Sequence, residues 1–208
     1  MQERKLMEMV EAAGTIAIAG HVRPDGDCVG SCLAVCNYIT EQYPEKTVDV
    51  YLETPPVKFS YLKQFERISS DSNTGKQYEL CICLDSGDRE RLGNNVVYLD
   101  TAKTSICIDH HITNKGYAAS NFVNASASAT CEFLYDFLDE EKISKEVAEC
   151  IYTGIIHDTN VFKNSNTTAK TMEVAGVMME KGINFSQIID GSFYKKTYVQ
   201  NQIMGRAV

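Results

Sequence analysis

The residues able to do chemistry in this chain fall in four short groups. The first is His21, Asp25 and Asp27, in the segment AGHVRPDGDCVGS, where Pro24 and Gly26 shape the turn between them. The others are Asp85 in LDSGD, the triplet Asp109-His110-His111, and Asp158 in GIIHDTNVF. All 4 histidines lie in or beside these groups. Carboxylates packed together repel one another unless a cation neutralises them. Imidazole plus several carboxylates, without a thiolate, suits a hard divalent ion, Mn²⁺ ahead of Mg²⁺. Two such ions roughly 3.5 to 4 Å apart can share a bridging carboxylate and assist phosphoryl transfer to water.

For the groups to meet, the intervening elements must deliver each to one place. Three of them follow apolar runs that read as strands: Thr15 to Ala19, Tyr78 to Leu84, and Ser105 to Ile108. Each polar group therefore leaves the carboxyl end of a strand, where ligands bind in an α/β sheet. Asp158 follows a helix from Lys145 to about Ile156. Helices are also expected over residues 2 to 13, Val29 to Gln42, Ser126 to Leu138 and Thr168 to Lys181, with another beginning near Phe185. Further strands are expected at Val48 to Leu52 and Val96 to Leu99, a short helix through Phe59, Leu62 and Phe65, and a polar loop over 69–77. A Gly- and Asn-rich connection precedes Ser126. This alternation predicts an α/β fold with a mostly parallel sheet flanked by helices on both faces, a Rossmann-like three-layer arrangement. Gly30 and Ser31, expected at the start of a helix, would offer amides and the positive helix end to a substrate phosphate.

Neighbouring polar residues have plainer readings. Asp88 caps the turn beginning at Arg89, which Gly93 ends. His157 lines the wall beside Asp158, and Arg23 and Arg89 are solvated as readily as they are phosphate contacts.

The chain has 208 residues and 44% hydrophobic content, enough for one substantial core. Its net charge of -8 argues against a broad basic surface for long duplexes but leaves room for a small phosphate-bearing substrate. The 8 cysteines include no CxxC pair, so they read as small buried hydrophobes in a reducing compartment. No apolar run approaches a membrane span, and the charged N-terminal segment MQERKLMEMVEAAG lacks the core of a signal peptide. A cytoplasmic protein is expected, with no membrane partner; a homodimer is left open.

Taken together, HVRPDGDCVGS, LDSGD, DHH and GIIHDTNVF resemble, in order, the four signature motifs of the DHH phosphoesterase family, over about residues 16 to 162. Within the family the chain is most similar to the nanoRNase and 3′-phosphoadenosine 5′-phosphate (pAp) phosphatase branch, whose N-terminal domain type is shared with the exonuclease RecJ. The resemblance implies one Mn²⁺ held by His21, Asp25 and Asp85 and a second by Asp27, Asp85, His110 and Asp158, with Asp85 bridging. Asp109 would orient His110. His111 would face the substrate phosphate, and a water activated between the ions would attack phosphorus. Expected substrates are short single-stranded RNA or DNA oligonucleotides, or nucleotide phosphates such as 3′,5′-bisphosphonucleosides. Two alternatives stand beside this: a manganese pyrophosphatase or exopolyphosphatase, and a non-catalytic nucleotide-binding fragment. Asn160 stands where the family often has Gly after Asp-Thr, and no Gly-Gly pair is present. The expected organisation is a DHH catalytic domain over 1–190, with 191–208 beginning a helix that leads to a C-terminal substrate-binding domain.

Overall fold

The computed structural model describes residues 2–195 and 198–207. Helix α1 (Gln2–Ala12) leads into strand β1 (Thr15–Ala19), then α2 (Gly26–Gln42) and β2 (Thr47–Tyr51). Next come β3 (Ile68–Ser69), β4 (Leu80–Leu84), α3 (Val96–Thr101), β5 (Thr104–Asp109) and β6 (Ser120–Val123). The remainder is helical: α4 (Thr130–Leu134), α5 (Lys145–Asp158), α6 (Ala169–Glu180), α7 (Phe185–Ile188) and α8 (Tyr198–Ala207).

The six strands form one sheet in the order β3-β2-β1-β4-β5-β6, and every neighbouring pair is parallel. Strand order reverses between β1 and β4, so the crevice of the sheet opens at their carboxyl ends. Residues alternate across the sheet, as strand geometry requires. Ile16, Ile18, Val50, Ile82 and Ile106 face a large core shared with α1, α2, α4, α5 and α6. Ala17, Ala19, Cys81, Cys83 and Cys107 face a smaller one closed by Tyr51, Tyr78, Tyr98 and Leu99. The sheet is thus covered on both faces, unequally. All eight cysteines are free and buried, and among the described residues no helix is long and apolar enough to cross a membrane.

Several local expectations are corrected. Val96–Leu99 is the start of α3, not a strand. Tyr98 and Leu99 are buried while Val97 is 37% exposed, a one-sided burial that suits a helix. The sheet position beside β4 is filled by β5. Two edge strands escape the apolar pattern: β3 has only two residues, and β6 is partly exposed along its whole length. The helix expected over Ser126 to Leu138 is the five-residue α4 followed by a 3₁₀ turn at Tyr135–Phe137, and the region of Phe59 and Phe65 is two 3₁₀ turns. Of the C-terminal segment, residues 196, 197 and 208 lie outside the described residues. Ile189–Tyr194 is a π-helical turn, and α8 follows from Tyr198.

Candidate metal centre

The segment 21–27 folds as it does because Asp25 ends the loop as a helix cap. Its Oδ1 accepts the Asp27 and Cys28 amides at 3.0 and 3.2 Å, two of the donors that the first turn of a helix leaves unpaired. Helix α2 therefore begins at Gly26, three residues before the expected Val29. That shift removes Gly30 and Ser31 from the helix end. Both are buried inside α2; the Ser31 hydroxyl donates to the Cys28 carbonyl, and a Cβ on Gly30 would stand 2.6 Å from the Cys150 carbonyl. The expected phosphate contact at Gly30 and Ser31 is corrected accordingly: they are the close contact between α2 and α5.

Asp85 stands just past β4 with a left-handed backbone, φ 53°, a strained conformation of the kind that collects at functional sites. It is 2% exposed. Its two oxygens divide between two imidazoles: Oδ2 lies 3.4 Å from His21 Nε2, and Oδ1 lies 3.6 Å from His110 Nε2. His21 Nε2 is also 3.7 Å from Asp25 Oδ1. His110 Nε2 is 3.2 Å from Asp158 Oδ2 and 3.9 Å from Asp27 Oδ2. Asp158, the last residue of α5, thus reaches the sheet edge from the helical layer.

Each ring is turned by its other nitrogen. His21 Nδ1–H donates to the Val22 carbonyl at 2.8 Å, and His110 Nδ1–H donates to the Ala127 carbonyl at 3.3 Å. Both Nε2 atoms are left facing carboxylates, as in metal-binding histidines. Asp109 does not orient His110, which corrects that expectation. Its Oδ1 accepts from His111 Nδ1 at 2.7 Å, and its Oδ2 accepts from Asn114 at 2.8 Å. The β-strand explains the difference: Asp109 and His111, two positions apart, point to the same side.

The electrostatics describe a pocket short of positive charge. Burial pushes Asp27 well above the usual carboxylate range, helped by Asp85 and Asp158; burial and Asp85 also raise Asp158. Burial alone would lower both histidines, but the carboxylates more than reverse it. His110 rises to about 10, and His21 is raised further by Asp25 and Asp85. Asp25, against burial, is lowered to about 2 by His21 and the capped amides. Asp109 holds His111 above its ordinary value.

The donor set fits divalent ions. Ligand atoms about 2.1 Å from an ion, at right angles, stand about 3.0 Å apart, close to the separations seen here. Asp85 with His110 and His111, and Asp27 with His110 and Asp158, are compact enough to share an ion. A third such group joins His21 and Asp85 with the buried thiol of Cys28.

Other residues prominent in the sequence play supporting parts. Asp88 caps the following turn through the Arg91 amide at 2.8 Å, and Arg89 pairs with Asp100 on the surface at 2.6 Å. His157 packs edge-on against Phe59 and Phe193 and donates from Nε2 to Ser192.

Two contributors escape the sequence reading. The Thr130 and Cys131 amides, at the start of α4, donate to Asp27 Oδ2 and Oδ1 at 2.6 and 2.9 Å. The Thr130 hydroxyl donates to Asp85 Oδ1 at 3.0 Å. The local signal was Ala129: a helix whose capping position lacks a side-chain acceptor needs one from elsewhere.

The DHH family, N-terminal domain, matches residues 15–155. The chain belongs to the DHH family. This DHH chain is 30% identical over 94% of its length to the bifunctional oligoribonuclease and PAP phosphatase NrnA of Bacillus subtilis, and 31% identical over 89% of its length to the probable counterpart in Streptococcus mutans. It spans 62% and 58% of those two proteins. Among solved structures, an exopolyphosphatase-related protein from Bacteroides fragilis superposes with a TM-score of 0.89 at 24% identity, over 99% of this chain and 64% of that one. A putative family II inorganic pyrophosphatase from Methanococcus jannaschii gives 0.63 at 18% identity, over 85% and 61%. Both likenesses concern the fold.

Proposed function

We propose that this DHH chain is a metal-dependent phosphoesterase that hydrolyses short oligonucleotides and 3′,5′-bisphosphonucleosides such as pAp, with residues 1–190 as the catalytic unit. The observation that carries the reading is Asp85, buried between two imidazoles with one carboxylate oxygen toward each. The names of the curated relatives supply the substrate classes.

In this proposal His21, Asp25 and Asp85 hold one Mn²⁺, and Asp27, Asp85, His110 and Asp158 hold a second; Mg²⁺ is the lesser choice. Bound there, the ions supply Lewis acidity toward phosphate and water and neutralise the buried carboxylates. The chain's own groups do the rest. Asp85 fixes the spacing of the two half-sites, and the α4 amides keep Asp27 aimed. Asp109 holds a proton on His111 Nδ1. It thereby favours an imidazolium whose Nε2–H donates to a phosphoryl oxygen as charge builds there. No side chain becomes covalently attached to phosphorus. The eight buried free thiols are in keeping with a cytoplasmic setting.

Metal analysis of the purified chain, combined with product analysis on diadenylate, pAp and pyrophosphate in Mn²⁺, tests the reading. Adenylate from the first two substrates, lost in Asp85→Ala, is the expected result. Phosphate from pyrophosphate alone would move the chain to the pyrophosphatase class. A loaded chain that cleaves no phosphoester overturns the proposal.

A further inference from the structure

Beside the carboxylate cluster lies a groove of about 640 Å³, within the range of sites that hold small ligands. Its lining includes Lys58 and Tyr61 from the turn after β2, Glu149 from α5, Gln187 from α7, and Lys195. From Glu149 to His157 helix α5 advances eight residues, or roughly 12 Å at 1.5 Å per residue. The groove therefore lies along the helix whose far end carries His157 and Asp158.

Three features give it a chemical character. In a chain of net charge -8, Lys58 and Lys195 take part in no ion pair among the described residues. Lys58 lies 4.9 Å over the Phe59 ring, and its charge is felt by both Asp25 and His157, which places it at the end of the groove nearest the cluster. Tyr61 is pinned by a 2.6 Å hydrogen bond between its hydroxyl and that of Thr153 while 40% of it stays exposed. A fixed, accessible ring beside an unpaired cation is the combination by which proteins hold single-stranded nucleic acid, the base on the ring and the phosphate on the cation. Glu149 is the one carboxylate among the lining residues, and burial raises its pKa, which softens its opposition to an anion.

We propose that this groove seats the nucleotide adjoining the scissile phosphodiester of a short oligonucleotide, with Lys58 on its phosphate and Tyr61 under its base. The assignment rests on the phosphoesterase reading above and sharpens it. A 3′,5′-bisphosphonucleoside has no second nucleoside to place there, so the groove separates the two substrate classes.

The test uses the full chain with Lys58→Gln and, separately, Tyr61→Leu, on triadenylate and pAp. Each substitution should raise KM for triadenylate about tenfold more than KM for pAp, the effect of losing one stacked base or one phosphate contact. Equal losses on both substrates, or no loss on either, overturn the assignment. Should the loaded parent chain hydrolyse neither substrate, the phosphoesterase reading fails by itself. The groove is then judged by fluorescence anisotropy of labelled triadenylate in EDTA. Binding weakened by both substitutions sustains it, and binding that neither alters, or that is absent from the parent chain, overturns it.

Discussion

Thr130 and Asp85, 45 residues apart, share a buried 3.0 Å hydrogen bond from the threonine hydroxyl to Oδ1 of the carboxylate. That oxygen is the one facing His110, so Thr130 restrains the half of Asp85 on which the second ion would depend. Thr130→Val keeps the shape and removes the donor. Mn²⁺ affinity should fall about 10- to 100-fold, the usual cost of losing such a supporting contact, while Thr130→Ser should restore most of it. Calorimetric metal titration makes the comparison, and unchanged affinity in Thr130→Val would show the contact to be structural only.

Asp109→Asn leaves the candidate ligands in place but deprives His111 of its charged partner. Turnover of a phosphoester should drop about 100-fold or more, in line with removal of one preorganised donor from a transition state. Metal content should stay near that of the parent chain. Steady-state kinetics alongside metal analysis separates the two effects.

Metal uptake should release protons. His110 titrates at about 10 in the metal-free chain, and His21 is raised as well. Both therefore carry protons at neutral pH and must lose them before Nε2 can bind an ion. About two protons should leave on loading, and affinity should strengthen as pH rises. Calorimetry in two buffers of different ionisation enthalpy counts them, and a count near zero contradicts the ligand role of both rings.

His157 behaves in the opposite sense. Burial first, and then Lys58, lower it to about 4 from 6.5. The unfolded chain therefore takes up its proton first, and stability falls as pH drops from 6.5 toward 4. The loss is on the order of 1–3 kcal/mol for this residue. Urea melts across that interval should show a shallower decline for His157→Gln than for the parent chain.

Gly30→Ala tests the packing role given to Gly30. Its new Cβ would meet the Cys150 carbonyl at 2.6 Å, and forcing α2 from α5 should cost about 1–3 kcal/mol. Thermal and urea denaturation read the loss directly.

The sheet and most of the cluster are legible in the sequence because burial and chemistry coincide there. β1, β4 and β5 are continuous apolar runs, and each ends at a polar group that no apolar core would tolerate. Edge strands are harder to read: β6 is half solvated, so its composition resembles a loop. Val96–Leu99 misleads because a four-residue apolar run fits a buried strand and one side of a helix alike. The partner of Asp109 depends on ring orientation, and the capping of α4 by Asp27 joins residues 103 apart. Neither relation leaves a local mark. Gly30 and Ser31 were misplaced by a three-residue error in the start of α2, small in the fold and decisive for which amides are free.

The grip of the α4 amides on Asp27 bears on what happens when a chelator strips the ions away. A carboxylate anchored at both oxygens to a helix end has no freedom to swing out into solvent. The vacated receptacle keeps its outline, and reloading then proceeds at the pace of ion arrival and proton departure, with no rearrangement of the backbone to wait for.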